Sequence, residues 1–164
     1  LDELVNQQLA KMLFANPQRI DYYDRYQEII DAYNAEQNRA TIEKTFMDLM
    51  ELASSLDTEQ QRYVREGFSS DEELSVYDLL FLENLTKQEI ETIKKVSVDL
   101  LTKIKQQIAK LDHWTDKQET KAIVDNLIRN TLWQELPNSY DVSDIQTYQK
   151  KIYEYVYMRY PEVA

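Results

Sequence analysis

Three acidic residues of one predicted helix are the first group whose spacing could support chemistry: Asp21, Asp24 and Glu28. Separations of three and four residues place them on one side of a helix, and carboxylates in that arrangement can bind metal ions. Carboxylate centres in helical bundles also use matching ligands from facing helices, usually with histidine. The sequence offers no such partner helix. We therefore predict a solvated acidic surface, with no metal and no cofactor bound to this chain.

His113 is the only histidine, so any general-base chemistry near neutral pH would have to use it. The sequence shows no nucleophile and no set of oxyanion donors around it. Because His113 directly precedes Trp114 and a predicted helix start, we interpret it as a connector that covers a helix end. We predict no catalytic residue and no enzymatic activity for this chain. A helical enzyme built around His113 stays an alternative, which loss of activity in His113→Ala would support.

The low glycine content excludes several classes of site and fold. Gly67 is the only glycine among 164 residues, whereas phosphate-binding loops and dinucleotide-binding turns need several. Hairpin turns also depend on glycine. The sequence therefore predicts neither a nucleotide-binding loop nor a β-rich fold.

The cysteine content and the hydropathy pattern bear on the compartment. The chain has no cysteine, which excludes disulfides and cysteine zinc sites and fits a reducing cytoplasm. No run of about 18 apolar residues and no basic-then-apolar leader occurs. We therefore expect a cytoplasmic protein with no membrane contact. Because the sequence begins with Leu1 and not Met, we expect a processed product or a piece of a longer chain.

The net charge of −11 is unevenly distributed. Residues 1–86 carry 18 acidic and 7 basic side chains, whereas residues 87–133 carry 7 acidic and 9 basic ones. Phosphate contacts dominate binding to nucleic acids, so the first half should repel DNA. Only the stretch from Lys87 to Arg129 could face DNA without a large penalty. The charge pattern leaves two interpretations of this stretch open, a solvated basic side of a helix or a surface for DNA or an acidic partner.

Apolar residues recur at helical spacing almost throughout, which predicts an all-α protein without β-sheet. We expect an irregular bundle of about seven to eight helices. It would form a single domain over 1–164, or a lobe over 1–68 followed by a C-terminal lobe over 70–164. The first helix should end near Asn16 and Pro17, and a helix from Asp57 and Thr58 should end at Gly67. The core face of the helix between them is predicted to consist of Ile42, Phe46, Leu49, Ala53 and Leu56.

Four capping-box patterns predict where the later helices begin. These pairs are Ser70 with Glu73, Thr86 with Glu89, Thr115 with Gln118, and Ser143 with Gln146. They place helices near 71–83, 86–110, 115–134 and 143–159.

Tyrosine is the residue type that most suggests a binding surface. Nine of the 12 tyrosines occur in two groups, one near residues 22–33 and one at residues 148–160. On the last helix, Tyr148 and Tyr155 share one apolar face, while Tyr153, Tyr157 and Tyr160 share another. A helix that is apolar on two sides is either central to a bundle or shared with a partner. Tyrosine is common in interfaces because it joins a large ring to a polar end.

The second half of the sequence resembles the C-terminal region of the restriction (R) subunit of type I restriction enzymes. Residues 72–80, EELSVYDLL, resemble the family pattern EELAIFDLL, and Leu85-Thr86 with Glu89 is similar to its next helix start. Trp114, Lys117, residues 120–122 and Val124 resemble a W-x-x-K-x-x-TRA-x-V pattern, with Lys121 in place of the usual arginine. Leu136-Pro137 with Tyr140, and the helix of residues 153–160, resemble the pattern that follows. The resemblance is dense over about 71–160 and thinner before it.

The resemblance implies that different regions of the parent chain carry out different functions. R subunits of this family carry a nuclease domain and helicase-like motor domains that use ATP and Mg²⁺. Together with methyltransferase and specificity subunits they translocate DNA and cut it, so the parent chain would be an ATP-dependent type I site-specific deoxyribonuclease, a hydrolase. The helical C-terminal region is thought to attach the R subunit to the methyltransferase core. The sequence contains none of the motor or nuclease motifs, which fits an excised C-terminal region.

We therefore hypothesise that this chain docks the R subunit onto the methyltransferase subunit, with double-stranded DNA as an accessory contact. The predicted anchors are Trp114, Tyr153 and Tyr157, and the steering charges are Lys117, Lys121 and Arg129. Each of those three basic residues could equally be a solvated helix edge. Two alternatives come from other classes: an acidic mimic of DNA, suggested by the net charge, and a generic helical interaction module.

Overall fold

The computed structural model describes residues 1–162 of the chain. That part is all-α, as predicted, with eight α-helices, two short 3-10 turns and no strand. The chain forms two compact units, residues Leu1–Ser75 and the residues from Val76 onward, and the division falls within the fifth helix. In chain order the helices are α1 (Asp2–Ala15), α2 (Ile20–Ala35), α3 (Arg39–Gln60), α4 (Arg62–Arg65), α5 (Asp71–Leu80), α6 (Lys87–Ala109), α7 (Gln118–Glu135) and α8 (Val142–Arg159).

The core of the first unit is made by one apolar stripe of α1 and one of α3, with half-buried residues of α2 packed against them. The stripes follow the three- and four-residue spacing of helix faces, so each helix buries one side only. Burying a leucine or valine side chain stabilises a fold by about 1.5–3 kcal/mol. The buried residues are Val5, Leu9, Met12, Leu49, Leu52 and Leu56, and Tyr22, Tyr26, Ile29 and Ala53 pack against them.

A buried guanidinium lies among three segments of the first unit. Arg19 is only 3% exposed and makes a bidentate pair with Asp71, at 2.8 and 2.6 Å. Its Nε atom lies 3.4 Å from Glu59, and a third contact reaches the carbonyl of Met12 at 3.5 Å. Glu59 also accepts from Arg62 at 2.8 Å. Arg19 thereby links the end of α1, the end of α3 and the start of α5.

The predicted helix start at Asp57 and Thr58 is wrong, because α3 continues to Gln60. The hydroxyl of Thr58 donates to the carbonyl of Ser54 one turn earlier, at 3.1 Å. The carboxylate of Asp57 accepts from Gln8 of α1, at 3.1 Å. Neither side chain is therefore available to cap a new helix.

The predicted role of Gly67 in ending a helix is confirmed. Its φ of +87° is a left-handed conformation that glycine adopts without strain. The N–H of Gly67 donates to Val64 at 3.0 Å, and the N–H of Phe68 donates to Tyr63 at 2.9 Å. Those two bonds form the Schellman motif, which satisfies the last carbonyls of a helix.

The predicted core face of α3 is partly wrong. Leu49 and Leu56 are buried as predicted, but Ile42 and Phe46 are exposed, and so are Met47 and Met50. At about 100° per residue, Phe46 lies roughly 60° around the helix from Leu49 and roughly 120° from Leu52. The apolar spacing alone did not show which of these stripes faces α1.

In the second unit α7 packs against both α6 and α8. Apolar side chains of all three helices are buried there, and Tyr140, in the loop before α8, is buried with them. The hydroxyl of Tyr140 donates to the carbonyl of Leu80 at the end of α5. Burial raises the pKa of the Tyr140 hydroxyl, so it remains protonated as a donor. The buried helix residues are Ile93, Val96, Leu100, Leu101, Ile104, Ile108, Val124, Ile128, Leu132, Ile145, Ile152, Tyr155 and Val156.

Two of the four predicted capping boxes do not form. Thr86 and Glu89 cap α6 as predicted. Ser70 accepts from the N–H of Glu73 at 3.3 Å, but the Glu73 carboxylate accepts from the N–H of Ser69, so that box forms only in part. At α8, however, the box consists of Asp141 and Asp144, so the N-cap lies two residues before the predicted Ser143. Aspartate and serine are equally good N-cap residues, so the pattern did not choose between them.

The predicted box of Thr115 with Gln118 is also wrong. Residues Trp114–Asp116 form a 3-10 turn, and α7 starts at Gln118 without a side-chain cap. Thr120 instead donates back to the carbonyl of Trp114, at 2.6 Å. The turn is therefore attached to the helix that follows it.

None of the helices within residues 1–162 is long and apolar enough to cross a membrane. The same residues contain no group of three or more histidine, aspartate or glutamate side chains placed to hold a metal ion. Asp21, Asp24 and Glu28 are exposed on α2.

Arg19→Met should lower the free energy of unfolding by about 3 kcal/mol, because breaking a buried ion pair leaves its carboxylate partners uncompensated. Urea unfolding followed by circular dichroism measures the change. The matched control is Arg39→Met, since the Arg39 side chain is 93% exposed and pairs only along its own helix with Glu43. That variant should shift stability by less than about 0.5 kcal/mol. Equal effects of the two substitutions would contradict the structural role of Arg19.

Candidate docking surface

Three of the predicted docking residues lie together in one aromatic cluster. The ring of Trp114 contacts Tyr153 and Tyr157 edge to face, with centroids 6.0 and 5.7 Å apart. The rings of Tyr153 and Tyr157 are 6.1 Å apart, one turn from each other on α8. Edge-to-face pairs contribute about 0.5–1.5 kcal/mol beyond the area that they bury. The cluster therefore fixes the Trp114 turn against the last helix.

Trp114 itself is completely buried, with 0% of its surface exposed. Its indole N–H donates to the carbonyl of Tyr160, directly after the end of α8, at 2.8 Å. A side chain without accessible surface contacts no partner directly, so Trp114 supports the surface from behind. Its ring packs behind Tyr157 and not at the surface where it was predicted to act as an anchor.

Tyr157 is the exposed member of the cluster, at 38%. The ammonium group of Lys121 on α7 lies 6.0 Å from the centre of its ring, within reach of a cation–π contact. Tyr153 is half-buried, and its pKa is raised by burial and by the nearby charge of Asp125. Lys121 therefore belongs to the same cluster as the predicted tyrosines. Met158, which follows Tyr157 on α8, is exposed.

Lys117 and Arg129, the other two predicted basic residues, are exposed but stand apart from one another. Lys117 is the N-cap residue of α7, next to the Trp114 turn. Arg129 follows Lys121 by eight residues, which is about 12 Å along the helix axis. The six predicted residues therefore form one group around Trp114 and one separate charge.

Sequence reasoning missed Trp133, the second tryptophan, which is 48% exposed on α7. It lies one turn after Arg129, at a spacing that makes the two side chains neighbours on a helix surface. We call the exposed side of the helix that carries both the α7 outer face, defined by Ile123, Asn126, Arg129, Asn130 and Trp133. Exposed tryptophan and arginine are the residue types that contribute most to protein interfaces. The spacing of exposed polar residues around Trp133 was the signal that could have identified it.

The lysines of the second unit are less available for phosphate groups than the sequence suggested. Lys103 lies 3.0 Å from Asp99 and 3.1 Å from Glu135. A hydrogen bond with Glu135 lowers the pKa of Asp99, and burial with the neighbouring Asp99 raises that of Glu135. Three further lysines lie over tyrosine rings, Lys94 over Tyr77, Lys105 over Tyr160 and Lys151 over Tyr148.

His113 lies at the surface in a left-handed conformation, with a φ of 47°. One ring nitrogen is 2.9 Å from Glu162 and the other is 3.5 Å from Asp112. Both nitrogens thus face carboxylates and not a hydroxyl group that could act as a nucleophile. This geometry fits the connector interpretation better than general-base catalysis.

The opposite exposure of the two tryptophans predicts a simple fluorescence result. Iodide should quench a substantial part of the emission of the unmodified chain, because Trp133 is accessible. In Trp133→Phe the remaining emission comes from Trp114 and should be nearly insensitive to iodide. Trp114→Phe is the converse variant and should leave emission that iodide quenches fully. Strong quenching of Trp133→Phe would contradict the burial of Trp114.

Comparison with known proteins identifies the family. A model for the C-terminal region of type I restriction enzyme HindI endonuclease subunit-like proteins matches residues 1–160. No curated protein and no solved structure matches the chain. The similarity seen in the second half of the sequence therefore extends through the first unit. The chain belongs to the family of C-terminal domains of type I restriction endonuclease subunits.

Proposed function

We propose that this domain docks its endonuclease subunit onto the methyltransferase subunit of the restriction complex, and that the α7 outer face is the main contact. The single observation that carries the proposal is the exposed pair of Arg129 and Trp133. A tryptophan with nearly half of its surface in water gains most when a partner covers it. In this proposal the cleavage of DNA and the use of ATP and Mg²⁺ belong to other parts of the parent chain.

The Trp114 cluster supports a second contact at the end of α8. Tyr157 and Met158 present apolar surface there, and Lys121 adds a positive charge beside them. Because Trp114 fixes Tyr157 from behind, little side-chain entropy remains to be lost on binding. Preorganised aromatic side chains of this kind favour a protein partner with an apolar pocket and an acidic rim.

Charge supports a protein partner more than DNA. The first 86 residues carry 18 acidic and 7 basic side chains, so a long duplex would meet repulsion wherever it approached them. In the second unit, Lys103 is already paired with two carboxylates. A DNA contact, where it occurs, is therefore proposed only as an accessory to docking at Lys117, Lys121 and Arg129.

A pull-down of the purified chain with a cognate methyltransferase–specificity complex tests the proposal. The unmodified chain should be retained without DNA. Trp133→Ala should weaken binding by about 2 kcal/mol or more, roughly thirtyfold, because truncation removes an exposed anchor without disturbing the core. Arg129→Gln should act mainly on the salt dependence of binding.

Phe46→Ala is the matched control for that experiment. Phe46 is an aromatic residue of similar exposure, at 56%, on α3 of the first unit. Its truncation should leave retention unchanged. Loss of binding in Phe46→Ala together with normal binding of Trp133→Ala would move the docking surface to α3. Absence of retention with and without specific DNA would contradict docking by this domain.

A further inference from the structure

Three of the seven basic side chains of the acidic first unit line a single surface pocket. The pocket has a volume of about 420 Å³, and its lining includes Tyr22, Arg25, Glu59, Arg62 and Arg65. Residues 1–75 carry 16 acidic and 7 basic side chains in total. The pocket lining, with three arginines and one glutamate, is therefore net positive, whereas the unit as a whole is net negative.

The pairing of Glu59 leaves this pocket with an excess of positive charge. Glu59 is shared between Arg62, at 2.8 Å, and the buried Arg19, at 3.4 Å. Asp71 accepts two bonds from Arg19 on its far side. Among the residues that line the pocket, three guanidinium groups therefore face the one carboxylate of Glu59, which the buried Arg19 also shares.

Arg25 and Arg65 also keep hydrogen-bond donors available. The guanidinium of Arg25 lies over the ring of Tyr22, 5.8 Å from its centre. Because the contact is with the face of the ring, it leaves the in-plane N–H groups of Arg25 free to bind. Arg65 uses one nitrogen on the carbonyl of Thr58, at 3.1 Å. That bond caps the end of α3 and occupies one nitrogen of Arg65. The other N–H groups of Arg65 take no part in this cap.

We propose that this pocket binds a small molecule that carries a phosphate group. Arginine forks match the oxygen geometry of phosphate, and a phosphate monoester brings about two negative charges to a lining that is net positive. The volume lies within the range of small-molecule sites. The acidic surroundings repel an extended polyanion, so the ligand is a compact one and not the backbone of duplex DNA. This site is independent of the docking surface on the second unit.

Titration of the full chain with inorganic phosphate and, separately, with adenosine monophosphate tests the proposal. Arginine Nε–H signals in ¹⁵N NMR spectra are followed at constant ionic strength, because added salt alone screens exposed charges. We expect saturable shifts with a dissociation constant on the order of 1 mM or tighter. Arg25→Gln combined with Arg65→Gln should weaken binding at least tenfold. Arg25→Gln alone should weaken it severalfold and keeps the cap of α3.

The matched control is Arg39→Gln combined with Lys44→Gln, which removes the same charge from exposed positions of α3. It should bind phosphate as the unmodified chain does. Shifts that never saturate, or equal weakening in both double variants, would show a general ionic effect and overturn the proposal. A duplex with 5′-hydroxyl ends should produce none of these shifts at the same phosphate concentration. Tighter binding of that duplex would assign the pocket to DNA and overturn the proposal of a small ligand.

Discussion

The arrangement of the second unit depends on the burial of Trp114. The side chain is the largest among the fully buried residues, and its indole N–H needs an acceptor once it leaves water. The carbonyl of Tyr160 supplies that acceptor at the end of α8, where the helix itself leaves carbonyls unpaired. One hydrogen bond therefore satisfies two groups that would otherwise be costly, and it fixes the end of α8 beside the start of α7.

That constraint explains why the aromatic residues differ in role although their types are alike. Tyr153 and Tyr157 both contact Trp114, but only Tyr157 retains substantial exposure. Lys121 then lies over the Tyr157 ring because α7 begins next to the Trp114 turn. The surface charge and the exposed aromatic ring are thus both consequences of a buried side chain. In the proposed docking, side chains that are already packed in this way would lose less entropy when the partner binds.

The sequence predicted the helices well and the outward faces poorly, and the reason is physical. Helical spacing reports that a stripe of apolar residues exists, so α6 and its capping box at Thr86 were predicted correctly. Spacing does not report which of two stripes meets a neighbouring helix. Phe46 was therefore assigned to the core, and Trp114 to the surface. The exposed Trp133 was overlooked although polar residues at helical spacing, Asn126, Arg129 and Asn130, share its side of α7.

The distribution of charge, like the exposure of side chains, depends on how the helices pack. Composition assigns the first unit a strongly acidic character, and long-range repulsion of DNA follows from it. The local field at a pocket depends instead on which groups the fold brings together. Arg25 is separated by 37 residues from Arg62 in the sequence, yet α2 and the α3–α4 segment bring both to one pocket wall. The carboxylate of Glu59 is shared between Arg62 and the buried Arg19. A basic site can therefore exist within an acidic unit, and net charge alone does not exclude it.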